Sequence, residues 1–323
     1  MTLVMFSQSV SLTEGKSLMS KRLLVRVMLS LLLVGMVGGV SFLQLDNLAL
    51  AKAIANKPVI KPEPPKEDPV VPDLTPEQIK TIKAKLLADG CNFNADTGVT
   101  RKALGNCKIL LIGDSLGNNL AYGMMPQLAN QTTLTFTRTA KASTGLSNPW
   151  FYNWHTALAA QLKTYKPNLV IVFIGANDRQ NYVINGVTQT FGTEAWKKTY
   201  RANISKLANA AINSGAYVLW IGMPIMKPYN YAKGETLIDE QFALTVPKLP
   251  GALYLPTRAY TADAAGNYRQ YALVNGSSAM IRGEDGIHFT AMGQSVLATY
   301  VINNIIRTYH VQMTPKNPRY ITK

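Results

Sequence analysis

Cysteine and histidine are scarce in this sequence, and each scarcity narrows the kinds of site that the chain can form. The 323 residues include only 2 cysteines and 3 histidines. Cys91 and Cys107 show neither metal-ligand spacing nor a C-x-x-C motif, so we expect neither a bound metal nor a cofactor. The histidines leave three side chains from which an imidazole base could come.

Acidic residues are also few relative to basic ones. The chain has 33 lysines and arginines against 18 aspartates and glutamates, which gives a formal net charge of +15. On an exported protein this excess favours an anionic envelope surface or polymer as partner, although a generally soluble basic surface fits equally well. The basic residues are scattered and no nucleic-acid-binding module accompanies them, so nucleic acid is not an expected partner.

Charge is missing altogether from the apolar run between Val27 and Leu45, which is close to the roughly 20 residues that cross a bilayer. Lys21, Arg22 and Arg26 precede this run. We therefore expect the chain after it to be exported, to the periplasm or the outer face of the cytoplasmic membrane. An Ala-Leu-Ala stretch at 49–51 resembles a cleavage site, so the run is either a signal peptide or a retained membrane anchor.

Composition divides the chain into five segments. We predict a cytoplasmic N-terminus with a signal peptide or anchor (1–51), a linker rich in proline and charge (52–78), a short helix and cysteine-containing lead-in (79–107), one folded domain (108–310) and a C-terminal tail (311–323). The linker should be extended and semi-rigid. In an exported protein Cys91 and Cys107 could form a disulfide that stabilises by roughly 3 kcal/mol, with two free thiols as the alternative.

Strand-like and helix-like patterns alternate from residue 108 onward. Strand candidates occupy residues 108–114, 133–140, 168–175, 216–224 and 252–257. Helix candidates occupy residues 118–130, 153–165, 193–214, 236–246 and 291–308. The first, third and fourth strands are nearly continuous apolar runs, as expected for parallel strands covered on both faces. We therefore predict an α/β fold with three α/β/α layers around a mainly parallel, flavodoxin-like sheet of about five strands.

Reaction-capable side chains follow several of these strands. Ser115 follows the first strand, Gly145 lies in the loop after the second, and Asn177 follows the third. Asp285 and His288 share a glycine-containing loop before the last helix. Because ligands of open α/β sheets bind at the carboxyl ends of the strands, we expect these residues to meet at one edge of the sheet.

A serine hydroxyl becomes an effective nucleophile only when a base takes its proton. His155 lies in an aromatic stretch and His310 at the end of the last helix, whereas His288 follows a carboxylate, Asp285, by three residues. This spacing predicts a triad of Ser115, His288 and Asp285, in which the carboxylate orients the imidazole and stabilises its charged form.

Acyl transfer also needs hydrogen-bond donors for the oxyanion, and we predict the backbone N–H groups of Ser115 and Gly145 and the side-chain amide of Asn177. Each motif taken singly also fits a turn or a helix cap. Residues 113–117 also fit the G-x-S-x-G nucleophile elbow of α/β-hydrolases, but there the acid and the histidine come from different loops. Here both lie within 285–288.

Four short motifs together resemble the SGNH, or GDSL-type, hydrolases. Gly-Asp-Ser-Leu at 113–116 resembles the first block of that family, and Gly145 is similar to the oxyanion glycine of the second. Gly-Ala-Asn-Asp at 175–178 resembles the third block, and Asp-Gly-Ile-His at 285–288 the last. The resemblance covers about residues 108–308 and implies ester hydrolysis through an acyl-serine intermediate. The stretches "GANDRQ" and "TGLSNPWFYNW" further resemble an exported bacterial branch that is linked to envelope glycans.

Asp114, Arg179 and Trp150 are the candidate substrate contacts. For two of them a structural role is the alternative, since Asp114 could bond neighbouring backbone and Arg179 could pair with Asp178. Export, positive charge and nearby aromatic residues favour an acetylated envelope carbohydrate, or a small ester, as substrate. The same intermediate would serve an O-acetyltransferase supplied by a membrane acyl-transfer partner. An inactive glycan-binding protein on the same fold is the non-enzymatic alternative.

Overall fold

The computed structural model describes residue 77 and residues 107–132, 134–227, 229–309, 311 and 313–322. All of them belong to the unit that runs from Pro64 to Lys323. The predicted signal peptide or anchor, nearly all of the linker, and Cys91 lie outside the described residues. Within these residues, no helix combines the length and the apolar character needed to cross a bilayer.

The described residues contain nine strands. They are β1 (Cys107–Gly113), β2 (Leu134–Ala140), β3 (Leu169–Phe173), β4 (Tyr182–Ile184), β5 (Val187–Gln189), β6 (Tyr217–Ile221), β7 (Ala252–Leu255), β8 (Tyr271–Val274) and β9 (Ser277–Met280). Five of them form the central sheet in the order β2-β1-β3-β6-β7, and every pairing in it is parallel. If these five strands are renumbered in chain order, their order across the sheet is 2-1-3-4-5, which is that of flavodoxin-like folds. The predicted fold class is therefore confirmed.

Six α-helices accompany the strands in this part of the chain. They are α1 (Ser115–Gln127), α2 (Trp154–Tyr165), α3 (Glu194–Asn213), α4 (Tyr229–Thr245), α5 (Arg258–Thr261) and α6 (Ala291–Tyr309). α1 packs on α6, whereas α3 packs on both α2 and α4. Because parallel crossovers are right-handed, α1 covers one face of the sheet and α2, α3 and α4 cover the other. Every residue of β3 is buried, as a strand between two helical layers should be.

Several boundaries differ from the predicted ones for identifiable reasons. α1 begins at Ser115 rather than at residue 118, because the side chain of Asp114 caps it by accepting the N–H of Leu116. Two hairpins, β4–β5 and β8–β9, were not predicted. Each turns on an Asn-Gly pair, at 185–186 and 275–276, in which both residues have positive φ. That dipeptide favours a tight hairpin turn and was the sequence signal for both.

The two ends of the described domain are attached to its strands. In the predicted tail, the N–H of Thr322 donates to the carbonyl of Leu273 at 2.8 Å, and the carbonyl of Tyr320 accepts the N–H of Asn275 at 2.9 Å. The tail therefore pairs with the β8–β9 hairpin. At the other end, Cys107 opens β1, is buried and is disulfide-bonded. Its pairing with Cys91 stays a prediction.

Candidate active site

The serine, histidine and aspartate predicted from the motifs lie in direct contact. His288 Nε2 lies 2.8 Å from Ser115 Oγ, and His288 Nδ1 lies 2.6 Å from Asp285 Oδ2. The other carboxylate oxygen, Oδ1, accepts the N–H groups of Ile287 at 2.8 Å and of His288 at 2.9 Å. One carboxylate thus holds both the imidazole ring and the backbone that carries it.

The charge of Asp285 fixes which imidazole nitrogen carries the proton. Partial burial raises the pKa of this carboxyl, but hydrogen bonds from the His288 ring and from the N–H groups of Ile287 and His288 outweigh it and lower the pKa to about 2. An ionised carboxylate only accepts hydrogen bonds, so Nδ1 must be the donor. The lone pair of Nε2 is then directed at the Ser115 hydroxyl, as general-base catalysis requires.

Ser115 is held in place by the residue before it. Asp114 Oδ1 accepts the N–H of Leu116 at 2.8 Å, and Oδ2 accepts those of Gly175 and Ala176, each at 3.0 Å. The side chain is fully buried, and burial raises its pKa to about 6 although the three N–H donors oppose this. Asp114 therefore joins the end of β1 to the end of β3. It bonds neighbouring backbone and does not face a substrate.

The three predicted oxyanion donors lie at adjacent chain segments. Ser115 is the first residue of α1, where the helix dipole favours an anion. Asn177 Nδ2 donates one hydrogen to the carbonyl of Thr144 at 3.0 Å, which leaves its second hydrogen for a ligand and ties it to the residue before Gly145. Among the described residues, no hydrogen bond uses the N–H of Ser115 or of Gly145.

Asp178 fixes the loop that carries Gly145. Its Oδ1 accepts the N–H and the hydroxyl of Ser147 at 2.8 and 2.9 Å, and its Oδ2 accepts the hydroxyl of Tyr200 at 2.7 Å. Burial raises the pKa of this fully buried carboxyl, against the lowering effect of those bonds. A Cβ at Gly145 would overlap Asp178 Oδ1, so only glycine fits there. Through Ser147 and Tyr200, Asp178 thus serves this loop.

Of the other two predicted substrate contacts, Arg179 is half-buried and Trp150 is exposed. The Arg179 guanidinium stacks over the ring of Tyr231 in α4, 4.2 Å from its centre. Trp150 is 81% exposed and contacts the exposed Phe151 edge-on. Such a side chain makes few contacts with its own chain and is available to a ligand.

Arg282 is a buried residue of this region that the sequence analysis missed. Its Nη1 donates to the carbonyl of Ile225 at 2.8 Å, and its Nη2 donates to that of Ile287 at 2.7 Å. Its guanidinium lies 5.4 and 4.4 Å from the ring centres of Tyr268 and Phe289. Burial lowers its pKa to about 10, so it stays charged. Arg282 therefore fastens the loop of Asp285 and His288 to the segment that follows β6.

Asn119 supports the same loop from the other side. Its Oδ1 accepts the N–H of Phe289 at 2.9 Å, which joins α1 to the residue after His288. No sequence signal marks Asn119 or Arg282, because their partners are backbone groups distant in sequence. Within the described ranges, no group of three or more histidines, cysteines, aspartates or glutamates is arranged to hold a metal ion.

A further buried carboxyl near this edge makes stability depend on pH. Glu235 is 2% exposed and its Oε1 accepts Arg258 Nη1 at 2.6 Å. Burial outweighs the arginine and raises the pKa of Glu235 from 4.5 to about 7. The pKa of Glu235 is higher in the folded protein than in the unfolded chain, so its protonated form stabilises the fold. This stabilisation is complete below about pH 4.5 and is lost as the pH rises through about 7.

We expect this group to lower the free energy of unfolding of the wild-type protein by roughly 3 kcal/mol between about pH 4.5 and 7.5. Glu235→Gln, which does not titrate, should lack that loss. Denaturant unfolding of both proteins at each pH measures it, since subtraction cancels the titration of all shared groups. A difference between the two proteins that is the same at every pH would contradict the prediction.

Several solved structures are similar to this chain at low sequence identity. A GDSL-like lipase from Bacteroides thetaiotaomicron is 11% identical, with 70% of this chain and 96% of the lipase covered and a TM-score of 0.42. A variant of an acetyl xylan esterase from Geobacillus stearothermophilus is 15% identical, with 65% and 99% covered and a TM-score of 0.43. The periplasmic domain of a lipopolysaccharide acetyltransferase from Salmonella ser. Paratyphi A is 15% identical, with 71% and 94% covered and a TM-score of 0.42.

A comparison with functionally curated proteins found no match. One family model, described as "Protein of unknown function (DUF459)", matches residues 108–304. Since that match spans more than half of the chain, the protein belongs to the DUF459 family.

Proposed function

We propose that this protein is a serine-dependent ester hydrolase that works through an acyl-serine intermediate on Ser115. The contact that carries the proposal is that of His288 Nε2 with Ser115 Oγ at 2.8 Å, while Asp285 holds the opposite ring nitrogen at 2.6 Å. A nucleophile, a base and an orienting carboxylate in this order are the minimum set for acyl transfer.

In the first half of the reaction, Ser115 Oγ attacks the ester carbonyl and its proton passes to His288 Nε2. The N–H groups of Ser115 and Gly145 and the amide of Asn177 stabilise the resulting oxyanion. The imidazolium then gives its proton to the departing alcohol, which leaves acyl-Ser115. In the second half, His288 takes a proton from water, the hydroxide attacks the acyl carbon, and Ser115 regains its proton as the carboxylic acid departs.

We further propose that the acyl group is small and carried by exported carbohydrate. The exposed aromatic rings of Trp150 and Phe151, which follow the loop of Gly145, support a sugar as the alcohol component. The basic residues before the apolar run 27–45 support export. If a sugar hydroxyl replaced water in the second half-reaction, the same residues would perform O-acetyl transfer.

An organophosphate that forms a stable phosphoryl-serine tests the chemistry directly. We expect diethyl 4-nitrophenyl phosphate to abolish hydrolysis of 4-nitrophenyl acetate, and peptide mass spectrometry to place one diethylphosphoryl group on Ser115. Hydrolysis that persists in fully labelled protein, or a label on another residue, would contradict the proposal. Adding oligosaccharide acceptors to the unlabelled enzyme then separates hydrolysis from transfer, because acetate is released in the first case and acetylated sugar forms in the second.

A further inference from the structure

Basic residues follow four of the five strands at the edge of the sheet that holds the candidate site. Lys141 follows β2, Arg179 follows β3, Lys227 follows β6 and Arg258 follows β7. Only β1 is followed by the nucleophile instead. In the order β2-β1-β3-β6-β7, Ser115 therefore has one of these basic residues on the β2 side of β1 and the other three on the β3 side.

The carboxylates of the same edge are mostly buried and bonded to the protein. Asp114 and Asp178 are fully buried, Glu235 is 2% exposed and Asp239 is 6% exposed. The first two bind backbone and hydroxyl donors, and Glu235 binds Arg258. Asp285 is occupied by His288, so in the loop of the triad Glu284 is the remaining exposed carboxylate. Apart from Glu284 and Asp285, which are exposed, the carboxylates named here lie beneath the surface, whereas Lys141 and Lys227 are exposed on it.

The two lysines of this set, Lys141 and Lys227, are anchored through their backbone beside the reacting groups. The N–H of Lys141 donates to the carbonyl of Gly113 at 2.8 Å, two residues before Ser115. The N–H of Lys227 donates to the carbonyl of Gly286 at 3.1 Å, two residues before His288, and its side-chain stem packs against Gly286. Both side chains are exposed, and in the described part of the chain neither forms an ion pair.

Aromatic rings lie beside Lys141, the basic residue that follows β2. The ammonium of Lys141 lies 4.6 Å from the ring centre of Tyr152 and 5.6 Å from that of Phe151. Trp150, the most exposed large apolar side chain among the described residues, directly precedes Phe151. Flat rings stack on the apolar faces of sugars, and ammonium groups bind carboxylate or phosphate. A ligand that satisfies both is a sugar polymer with acidic groups.

We propose that this edge binds an anionic polysaccharide and that the ester cleaved at Ser115 is carried on such a chain. Lys141 and Lys227, which follow strands on either side of β1 in the order of the sheet, bind acidic groups on either side of the acylated sugar. Each exposed charge pair contributes little alone, but a repeating polyanion engages several cations at once. The cleavage step rests on the function proposed above, whereas binding of the polyanion does not.

The kinetic test compares acidic with neutral acetylated polymers. The substrates are O-acetylated polygalacturonate, O-acetylated glucomannan and 4-nitrophenyl acetate. For the wild-type enzyme we expect kcat/KM on the acidic polymer to fall about tenfold between low salt and about 0.5 M salt, with little change on glucomannan. Equal kcat/KM on the two polymers, unaffected by salt, would overturn the proposal.

A matched pair of double variants assigns the effect to the edge. Lys141→Gln/Lys227→Gln removes two charges beside the triad. Lys163→Gln/Lys248→Gln removes two exposed charges from segments that lead into the opposite, amino-terminal ends of β3 and β7. We expect the ratio of kcat/KM on acetylated polygalacturonate to kcat/KM on 4-nitrophenyl acetate to fall about tenfold in the first variant only. The same ratio in both variants would overturn the proposal.

A binding measurement separates this proposal from the chemistry. Titration calorimetry of unacetylated polygalacturonate into Ser115→Ala protein, with and without each lysine pair, needs no turnover. If binding is lost only in the variant that lacks Lys141 and Lys227, the proposal is supported. If the wild-type protein cleaves no ester, only the enzymatic function is then refuted. Binding that is absent, or equal in both variants, overturns the proposal even if esters are cleaved. Polyphosphate in place of polygalacturonate shows whether phosphate serves as well as carboxylate.

Discussion

Ser115→Ala protein is expected to hydrolyse 4-nitrophenyl acetate with a kcat about 10⁵-fold below that of the wild-type enzyme. The substitution removes the oxygen that His288 contacts and with it the covalent intermediate. The oxyanion donors and the substrate surface remain, so a small residual rate above that of water is expected. Initial rates with a sensitive chromogenic ester measure the change, and the free energy of unfolding shows that the fold is intact.

Ser277→Ala provides the matched control for this variant. Ser277 lies exposed in β9, so the same hydroxyl is lost without a contact to the triad. This control should retain wild-type kcat within about twofold. Retention of more than about a tenth of the wild-type rate by Ser115→Ala would remove Ser115 from the role of nucleophile.

Arg282→Met is expected to lower the free energy of unfolding by about 3 to 5 kcal/mol, because two hydrogen bonds from a charged group are lost. Methionine suits the apolar space between the rings of Tyr268 and Phe289 but donates no hydrogen bond. The partly buried carbonyls of Ile225 and Ile287 would then lack their donor. Denaturant unfolding measures the change. Stability equal to that of the wild-type protein would show that the hydrogen bonds of Arg282 do not stabilise the fold.

Arg282 is a positioning residue, so its effect on the reaction must appear in folded protein. At a temperature where Arg282→Met is fully folded, we expect phosphorylation of Ser115 by diethyl 4-nitrophenyl phosphate to slow about 100-fold, because the loop that holds His288 shifts. Arg282→Lys keeps the charge and part of the hydrogen bonding and should recover part of that rate. An unchanged rate in folded Arg282→Met would show that the arginine serves stability alone.

Local patterns in the sequence were sufficient to predict the sheet and the contacts among Ser115, His288 and Asp285. Apolar runs marked the five central strands because both faces of each strand are covered by helices. The triad followed from one loop spacing, since Asp285 and His288 are close enough in sequence for their side chains to meet without help from the fold. The position of Ser115 at a strand end supplied the third member.

The supporting residues could not be predicted in the same way. Arg282 binds carbonyls of residues 225 and 287, and a carbonyl carries no sequence identity by which such a pairing could be recognised. Asp114 and Asp178 look like surface carboxylates beside a catalytic motif. Only the packing of β1 against β3 and the approach of the Gly145 loop bury them. Once buried, Asp114 holds backbone N–H groups, and Asp178 holds Ser147 and Tyr200.

The attachment of the last residues has a practical consequence for work with this protein. Thr322 and Tyr320 bond the hairpin β8–β9, and that hairpin runs directly into the segment that presents His288. An affinity tag fused at the C-terminal end, or a shortened expression product, would disturb the reactive imidazole from more than thirty residues away along the chain. Expressed protein should therefore retain residues 320–322 unaltered.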